Sequence, residues 1–160
     1  MKEEVVKEKF IEAYNKVMDN KETLVEDTKA IVAMLTDTTE IDNKIQELNT
    51  EMEETEVLVE NLIHDNSKRS QSQKEYEKRY NELVEKFNKA KDKVERLTEE
   101  KISKLNKLEV LQAFIKTIEE KELVIDEFSL DLWNLMLDAA VVNKDETITF
   151  KFKNGNEVRI

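Results

Sequence analysis

The residue types that carry out chemistry are few in this sequence, and they do not converge. Its one histidine, His64, lacks the acid and nucleophile that a hydrolytic triad needs, so it reads as a solvated surface residue. Carboxylates are plentiful, 37 against 26 lysines and arginines, yet pairs such as Glu53/Glu54 and Glu99/Glu100 are consecutive. Consecutive residues on a helix diverge by about 100°, so these pairs do not close on a metal ion or a glycosidic bond. Cysteine is absent, which removes disulfides, CxxC redox chemistry and thiolate zinc or iron–sulfur sites from these residues. The single glycine, Gly155, lies in no phosphate-binding pattern. The expectation is a chain with no catalytic residue and no metal or other cofactor of its own.

The elements that would position any site are mostly helices. With one glycine and no proline in 160 residues, a loop-rich fold is hard to build. The formal charge of −11 has the wrong sign for a protein that grips DNA through its overall field, so contact with DNA needs a local basic patch. No run of about 18 apolar residues spans a membrane and no secretory signal opens the chain, so a reducing cytoplasm is the expected location.

Three regions differ in hydrophobic period. Up to about residue 35, Phe10, Ala13, Tyr14 and Val17, then Leu24, Ala30, Ile31, Met34 and Leu35, fall at helical spacing, with Asn20 as a cap between two helices. From a capping box at Asp37 and Glu40, the residues Ile41, Ile45, Leu48, Met52, Thr55, Val59 and Leu62 form a heptad stripe. A polar run from Asn66 to Gln73 interrupts it, Ser72 and Glu75 offer a second capping box, and Tyr76, Tyr80, Leu83, Phe87, Ala90, Val94 and Leu97 resume it. Folding about residue 69 sets Ile41 against Leu97, Leu48 against Ala90, Thr55 against Leu83 and Val59 against Tyr80. This predicts an antiparallel coiled-coil hairpin projecting roughly 40 Å, at about 1.5 Å per residue. Its second helix continues through Ile102, Leu111 and Ile118 to about Leu123, with Lys101 and Lys104 on the seam. That excess length needs the N-terminal helices as partners in a small helical base.

The third region starts at Ser129, an N-cap flanked by Phe128 and Trp133 as a hydrophobic staple. A helix to about Ala140, apolar on more than one face, is expected to be well buried. The segment "ETITFKFKNGNEVRI" then alternates as a two-stranded β-hairpin. A two-residue turn would put its apolar sets on opposite faces. A three-residue loop, Lys153-Asn154-Gly155 with Gly155 left-handed, instead sets Phe150 against Val158, Ile148 against Ile160 and Lys151 against Glu157. The expected fold is thus mainly α: a long antiparallel coiled-coil hairpin on a small helical base, with a C-terminal helix and a two-stranded β-hairpin. Residues 1–36 form the N-terminal part of the base, 37–122 the arm and its continuation, and 123–160 the C-terminal elements.

On that frame two residue groups stand out. Val57, Leu58 and Ile63 fall outside the heptad seam near the tip, and an apolar cluster facing solvent on a charged arm marks a self-association site. Leu58 and Ile63 would alternatively just broaden the seam. Lys151, Lys153 and Arg159 lie on the outward side or tip of the β-hairpin, where they could face DNA phosphates, or simply form a solvated strand face.

The stretch "FSLDLWNLMLDAAVVNKDETITFKFKNGNEV" resembles the C-terminal end of large serine recombinases, the phage-type serine integrases and related transposon resolvases. Phe128 with Leu132 and Trp133 matches the family's acidic-aromatic helix start, Val141-Val142 its Val-containing strand, and Ile148 to Phe152 with Asn154-Gly155 its last hairpin. The stretches "LTDTTEIDNKIQELNTEM" and "YEKRYNELVEKFNKAK" look like the coiled coil carried within such integrases' zinc-ribbon domain. The family's catalytic domain, with its nucleophilic serine, and its zinc-ligating cysteines are missing. The resemblance therefore implies a C-terminal piece, with Met1 an added start and zinc held in the missing part. It further implies a non-catalytic interaction module on DNA in a bacterial cytoplasm, whose coiled coils touch between subunits to control synapsis and direction. A recombination directionality factor is the second implied partner, DNA being held mainly by the missing domains. A helical-hairpin scaffold or adaptor unrelated to recombination is the alternative.

Overall fold

The computed structural model describes residues 2–68, 72–121 and 124–160. Its elements are α1 (Glu3–Met18), α2 (Lys21–Thr36), α3 (Thr39–Lys68), α4 (Gln73–Glu120), α5 (Leu130–Met136), β1 (Leu137–Val142), β2 (Ile148–Phe152) and β3 (Glu157–Arg159). The mainly helical class with a small C-terminal sheet is the expected one. The chain divides into two compact units, a terminal one of Met1–Thr36 with Leu105–Ile160 and a middle one of Asp37–Lys104. The expected fold-back at residue 69 and the expected boundary at residues 122 and 123 lie outside the described residues.

In the middle unit, α3 and the first part of α4 run antiparallel. Asp42 pairs with Lys101 at 2.6 Å, and Glu51, further along α3, pairs with Lys86, earlier in α4, at 3.4 Å. The register differs from the expected one. Thr55 and Val59 share a groove with Val84 and Phe87, and Leu48 shares one with Leu97, a slide of about one helical turn. The polar run does not end the helix at its first residue, since α3 continues through Asn66, Ser67 and Lys68. In the observed register Lys101 reaches Asp42, which gives the seam lysine an anion. Thr55, a polar residue within the seam, is 0% exposed, and its hydroxyl donates to the Glu51 carbonyl at 2.7 Å. The group therefore enters the seam with its donor satisfied. The capping box drawn on Asp37 and Glu40 does not form. Asp37 accepts from the Thr39 N–H at 3.0 Å, the Thr38 hydroxyl binds Asp42, and Glu40 turns to Lys44.

The terminal unit has one core. Phe10, Ala13, Tyr14, Val17 and Met18 of α1 meet Phe114 and Ile118 of α4, Leu132 and Met136 of α5, and the inward residues Ile148, Phe150 and Phe152 of β2. The excess length of α4 thus finds α1, as the helical period required. Phe10 lies within 5.1 Å to 6.3 Å, centroid to centroid, of Tyr14, Phe128, Trp133 and Phe150. Such tilted pairs add about 0.5–1.5 kcal/mol each beyond their buried area. The α2 stripe differs from expectation: Leu24 and Thr28 are its buried residues, while Met34 is 75% exposed.

The Ser129 cap and the staple form as read. Ser129 Oγ accepts from the Leu132 N–H at 3.2 Å, and the Phe128 and Trp133 rings lie 5.9 Å apart. Two expectations fail beyond that point. The helix is buried on one face, through Leu132 and Met136, while Leu130 is 62% exposed. It also stops at Met136 rather than Ala140, and Leu137–Val142 forms a third strand that pairs antiparallel with β2. The sheet therefore has three strands in the order β1-β2-β3, not two. A register shift between Leu137 and Ala139 leaves the exposed Asp138 out of the ladder. The β2–β3 connection is the expected three-residue loop. Phe150 faces Val158 and Lys151 faces Glu157, Ile148 and Ile160 exchange both main-chain hydrogen bonds, and Gly155 has φ +93°.

Candidate functional site

His64 is exposed on α3, where its carbonyl accepts from the Ser67 hydroxyl at 2.6 Å. Among the described residues, no group of three or more His, Cys, Asp or Glu side chains is placed to hold a metal ion. The grooves along the helix pair are lined by seam flanks such as Lys44, Glu47, Lys93 and Arg96. In the groove beside Leu48 and Leu97, lysines and an arginine alternate with carboxylates, while Glu47, Glu51 and Glu54 line another along α3.

The strongest candidate surface lies on α3, near the end where α3 stops and α4 begins. Val57, Leu58 and Ile63 are 55%, 49% and 48% exposed. Helical geometry explains the placement. Val57 is two residues from both Thr55 and Val59, which turns it about 200° from each seam position and away from α4. Leu58 sits beside it, and the exposed carboxylates Glu53, Glu54 and Glu60 lie three or four residues from one or both. Val57 and Leu58 thus form an exposed apolar pair flanked by carboxylates.

The basic trio is placed differently. Lys151 and Arg159 share the outward face of the sheet, while Lys153 sits in the β2–β3 loop and reaches the Asn134 carbonyl. Lys151 is 2.8 Å from Glu157, whose carboxylate holds the ammonium pKa above its ordinary value. Arg159 donates to the Thr147 hydroxyl at 2.9 Å and pairs with Asp145. Asp145 is held below the usual carboxylate range, first by the Thr147 hydroxyl and also by Arg159. All three cations thus have partners within the chain.

Other polar residues that periodicity did not single out organise the terminal unit. Asn15 clamps the main chain of Ile125 at both ends of its amide, donating to the carbonyl and accepting from the N–H, each at 2.9 Å. Lys21 donates to the carbonyls of Glu119 and Lys121, at the C-terminal end of α4, where the helix dipole favours a cation. Asn154 donates to Thr28 Oγ1 at 3.3 Å and so ties the β2–β3 loop to α2. The available signal for Asn15 was its position, a lone amide between the core residues Tyr14 and Val17.

No protein-family model, no curated protein and no solved structure matches this chain. No helix among the described residues is long and apolar enough to cross a membrane.

Proposed function

We propose that this chain is a non-catalytic coiled-coil interaction module of a site-specific DNA recombinase of the serine integrase type. In this reading its helix pair makes contacts between subunits that control which attachment sites synapse and in which direction recombination runs. The bond-breaking chemistry, the zinc and most of the DNA contact belong to other parts of such a protein. The working location is the bacterial cytoplasm, on DNA, and a directionality factor is a second partner for the same region.

The observation that carries the interaction role is the half-exposed Val57, Leu58 and Ile63 at the end of an otherwise charged helix pair. The assignment to recombination is supported by the residue pattern of the C-terminal segment, in which Leu137–Val142 is a strand and Asn154-Gly155 closes the last hairpin. A contact between two such ends buries little area, so it is weak alone and gains strength when copies are held together on DNA.

Sedimentation equilibrium of the wild-type chain and of the Val57→Asp/Leu58→Asp variant tests the interaction role. The wild type should self-associate with concentration, and the variant should not, at unchanged helicity by circular dichroism. Equal association of the two chains refutes the role of this patch. The coding region separates recombination from an unrelated scaffold. A serine-recombinase catalytic domain and a CxxC pair encoded in frame upstream support the first, and their absence refutes it.

A further inference from the structure

The pair Asn154-Gly155 carries a reaction as well as a turn. Gly155 is the single glycine, so Asn154 is the one asparagine in the chain followed by a residue without a side chain. A main-chain nitrogen can attack the carboxamide carbon of the asparagine before it, and a Cβ on the attacking residue crowds that approach. At Gly155 the crowding is absent. Gly155 is also exposed, so water and base reach it.

In the folded chain the reacting groups are all engaged. The Gly155 N–H donates to the Phe152 carbonyl at 2.8 Å, which holds the proton that must leave before the nitrogen attacks. Asn154 Oδ1 accepts from the Asn156 N–H at 3.1 Å, and Nδ2 donates to Oγ1 of the buried Thr28 at 3.3 Å. Both ends of the carboxamide are thus fixed, one to the loop and the other to α2. The main chain around it is held by the Phe152 N–H on the Asn156 carbonyl at 2.8 Å and the Lys153 N–H on the Met136 carbonyl at 2.9 Å.

We infer that Asn154 is a site of spontaneous deamidation that the fold holds closed, with Thr28 as its latch. When the loop opens, the Gly155 nitrogen loses its proton to base and bonds to Asn154 Cγ. The Cγ–Nδ2 bond breaks, and that nitrogen takes a proton from water and leaves as ammonia. Water then opens the cyclic imide at either carbonyl and leaves aspartate or isoaspartate at position 154. The product does not re-form the latch. Thr28 Oγ1 already donates its proton to the Leu24 carbonyl at 2.6 Å, so towards Asn154 it only accepts. A carboxylate offers no proton, and two acceptors then face each other. The isoaspartyl product also adds a methylene to the main chain of a loop whose length sets the Phe150–Val158 register. Conversion therefore leaves the loop detached from α2 in every chain that has opened and reacted.

Peptide mapping of the full chain, incubated at mildly alkaline pH in buffer and in urea, tests this. In urea Asn154 should convert faster than any other asparagine of the chain. In buffer its conversion should be slower by about tenfold or more, since only the open fraction reacts. Thr28→Val keeps the side-chain shape and removes the acceptor. It should raise the rate in buffer by about twofold to tenfold, the factor for one lost hydrogen bond, and leave the rate in urea unchanged. Thr28→Ser keeps the acceptor and should convert at the wild-type rate. Asn154→Asp copies one product and should lower the thermal midpoint of the terminal unit by about 2–4 °C. Equal rates in buffer and urea, or an Asn154 no faster than the other asparagines in urea, overturn the site. A rate in buffer that does not rise in Thr28→Val, or rises as much in Thr28→Ser, overturns the latch. An unchanged midpoint in Asn154→Asp overturns the detachment.

Discussion

The two β-hairpin loops of the terminal unit make a matched pair in which one residue type should be exchangeable with opposite effects. Both loops have three residues, Lys144-Asp145-Glu146 and Lys153-Asn154-Gly155. Both close the same way, with the Glu146 N–H on the Asn143 carbonyl and the Gly155 N–H on the Phe152 carbonyl. Both end on a left-handed residue, φ +64° at Glu146 and +93° at Gly155. A Cβ added at Gly155 meets nothing within 4 Å, so Gly155→Ala has no clash to relieve and its effect is backbone strain alone. That strain is about 1–3 kcal/mol, offset by about 0.4–1 kcal/mol from the stiffer unfolded chain, for a net loss of about 1–2 kcal/mol. Glu146→Gly runs the other way. It releases about 1–2 kcal/mol of left-handed strain and gives back about 0.4–1 kcal/mol of unfolded-state entropy, for a net gain of about 0.5–1 kcal/mol. The Lys9 ammonium binds the main-chain oxygen of Glu146 at 3.2 Å, so that contact survives the substitution. Trp133 is the only tryptophan and packs in the core of this unit, so its fluorescence in a urea titration reports the unit that holds both loops. The thermal midpoint should move by about 2–4 °C per kcal/mol, up for Glu146→Gly and down for Gly155→Ala. Equal signs, or a midpoint that falls for Glu146→Gly, would refute the loop assignment.

Two further outcomes test the polar contacts. Asp42 has its carboxyl held below the usual range by the Lys101 ammonium and then by the Thr38 hydroxyl. A depressed folded pKa adds stability that is present above the unfolded value of about 3.9 and is lost as pH falls through the folded one. Acid titration followed by helicity should therefore lose part of its slope in Asp42→Asn, and an unchanged slope would remove this pair from the acid response. Asn15→Ala leaves the N–H and carbonyl of Ile125 without their amide partner, so the unit should lose about 1–3 kcal/mol by the Trp133 readout. Asn15→Asp keeps the acceptor but sets a carboxylate oxygen against the Ile125 carbonyl, so it should lose at least as much as the alanine variant.

Sequence periodicity reached the elements whose geometry is set locally. The three-residue loop was legible because strict alternation on both sides leaves one register in which Phe150 and Val158 share a face, and because Gly155 supplies the left-handed position. The Ser129 cap and the Phe128–Trp133 staple are similarly local. The third strand was not legible. Leu135, Met136, Leu137, Ala139 and Ala140 satisfy helical spacing as well as any strand pattern, and β1 forms because β2 offers it a ladder from Phe152 to Ile148. The Glu146 loop carries no glycine to announce it. The helix-pair register was missed for a related reason. Asn66, Ser67 and Lys68 are acceptable in a helix, and polarity alone did not show that α3 runs through them. Of the candidate sites, the exposure of Val57 followed from angular position alone, whereas the partners of Lys153 and Arg159 depend on loops that only the folded sheet brings near.

Those partners bear on where nucleic acid can be met. A phosphate approaching Lys151 or Arg159 must displace a carboxylate already in place, from Glu157 or Asp145. The exchange trades one charge-assisted bond for another, and the displaced carboxylate remains nearby to repel the newcomer. A chain of net charge −11 adds a further barrier at long range. Lys74, Lys93, Arg96 and Lys107 have no ion pair among the described residues, but each stands on α4 among carboxylates of the same helix.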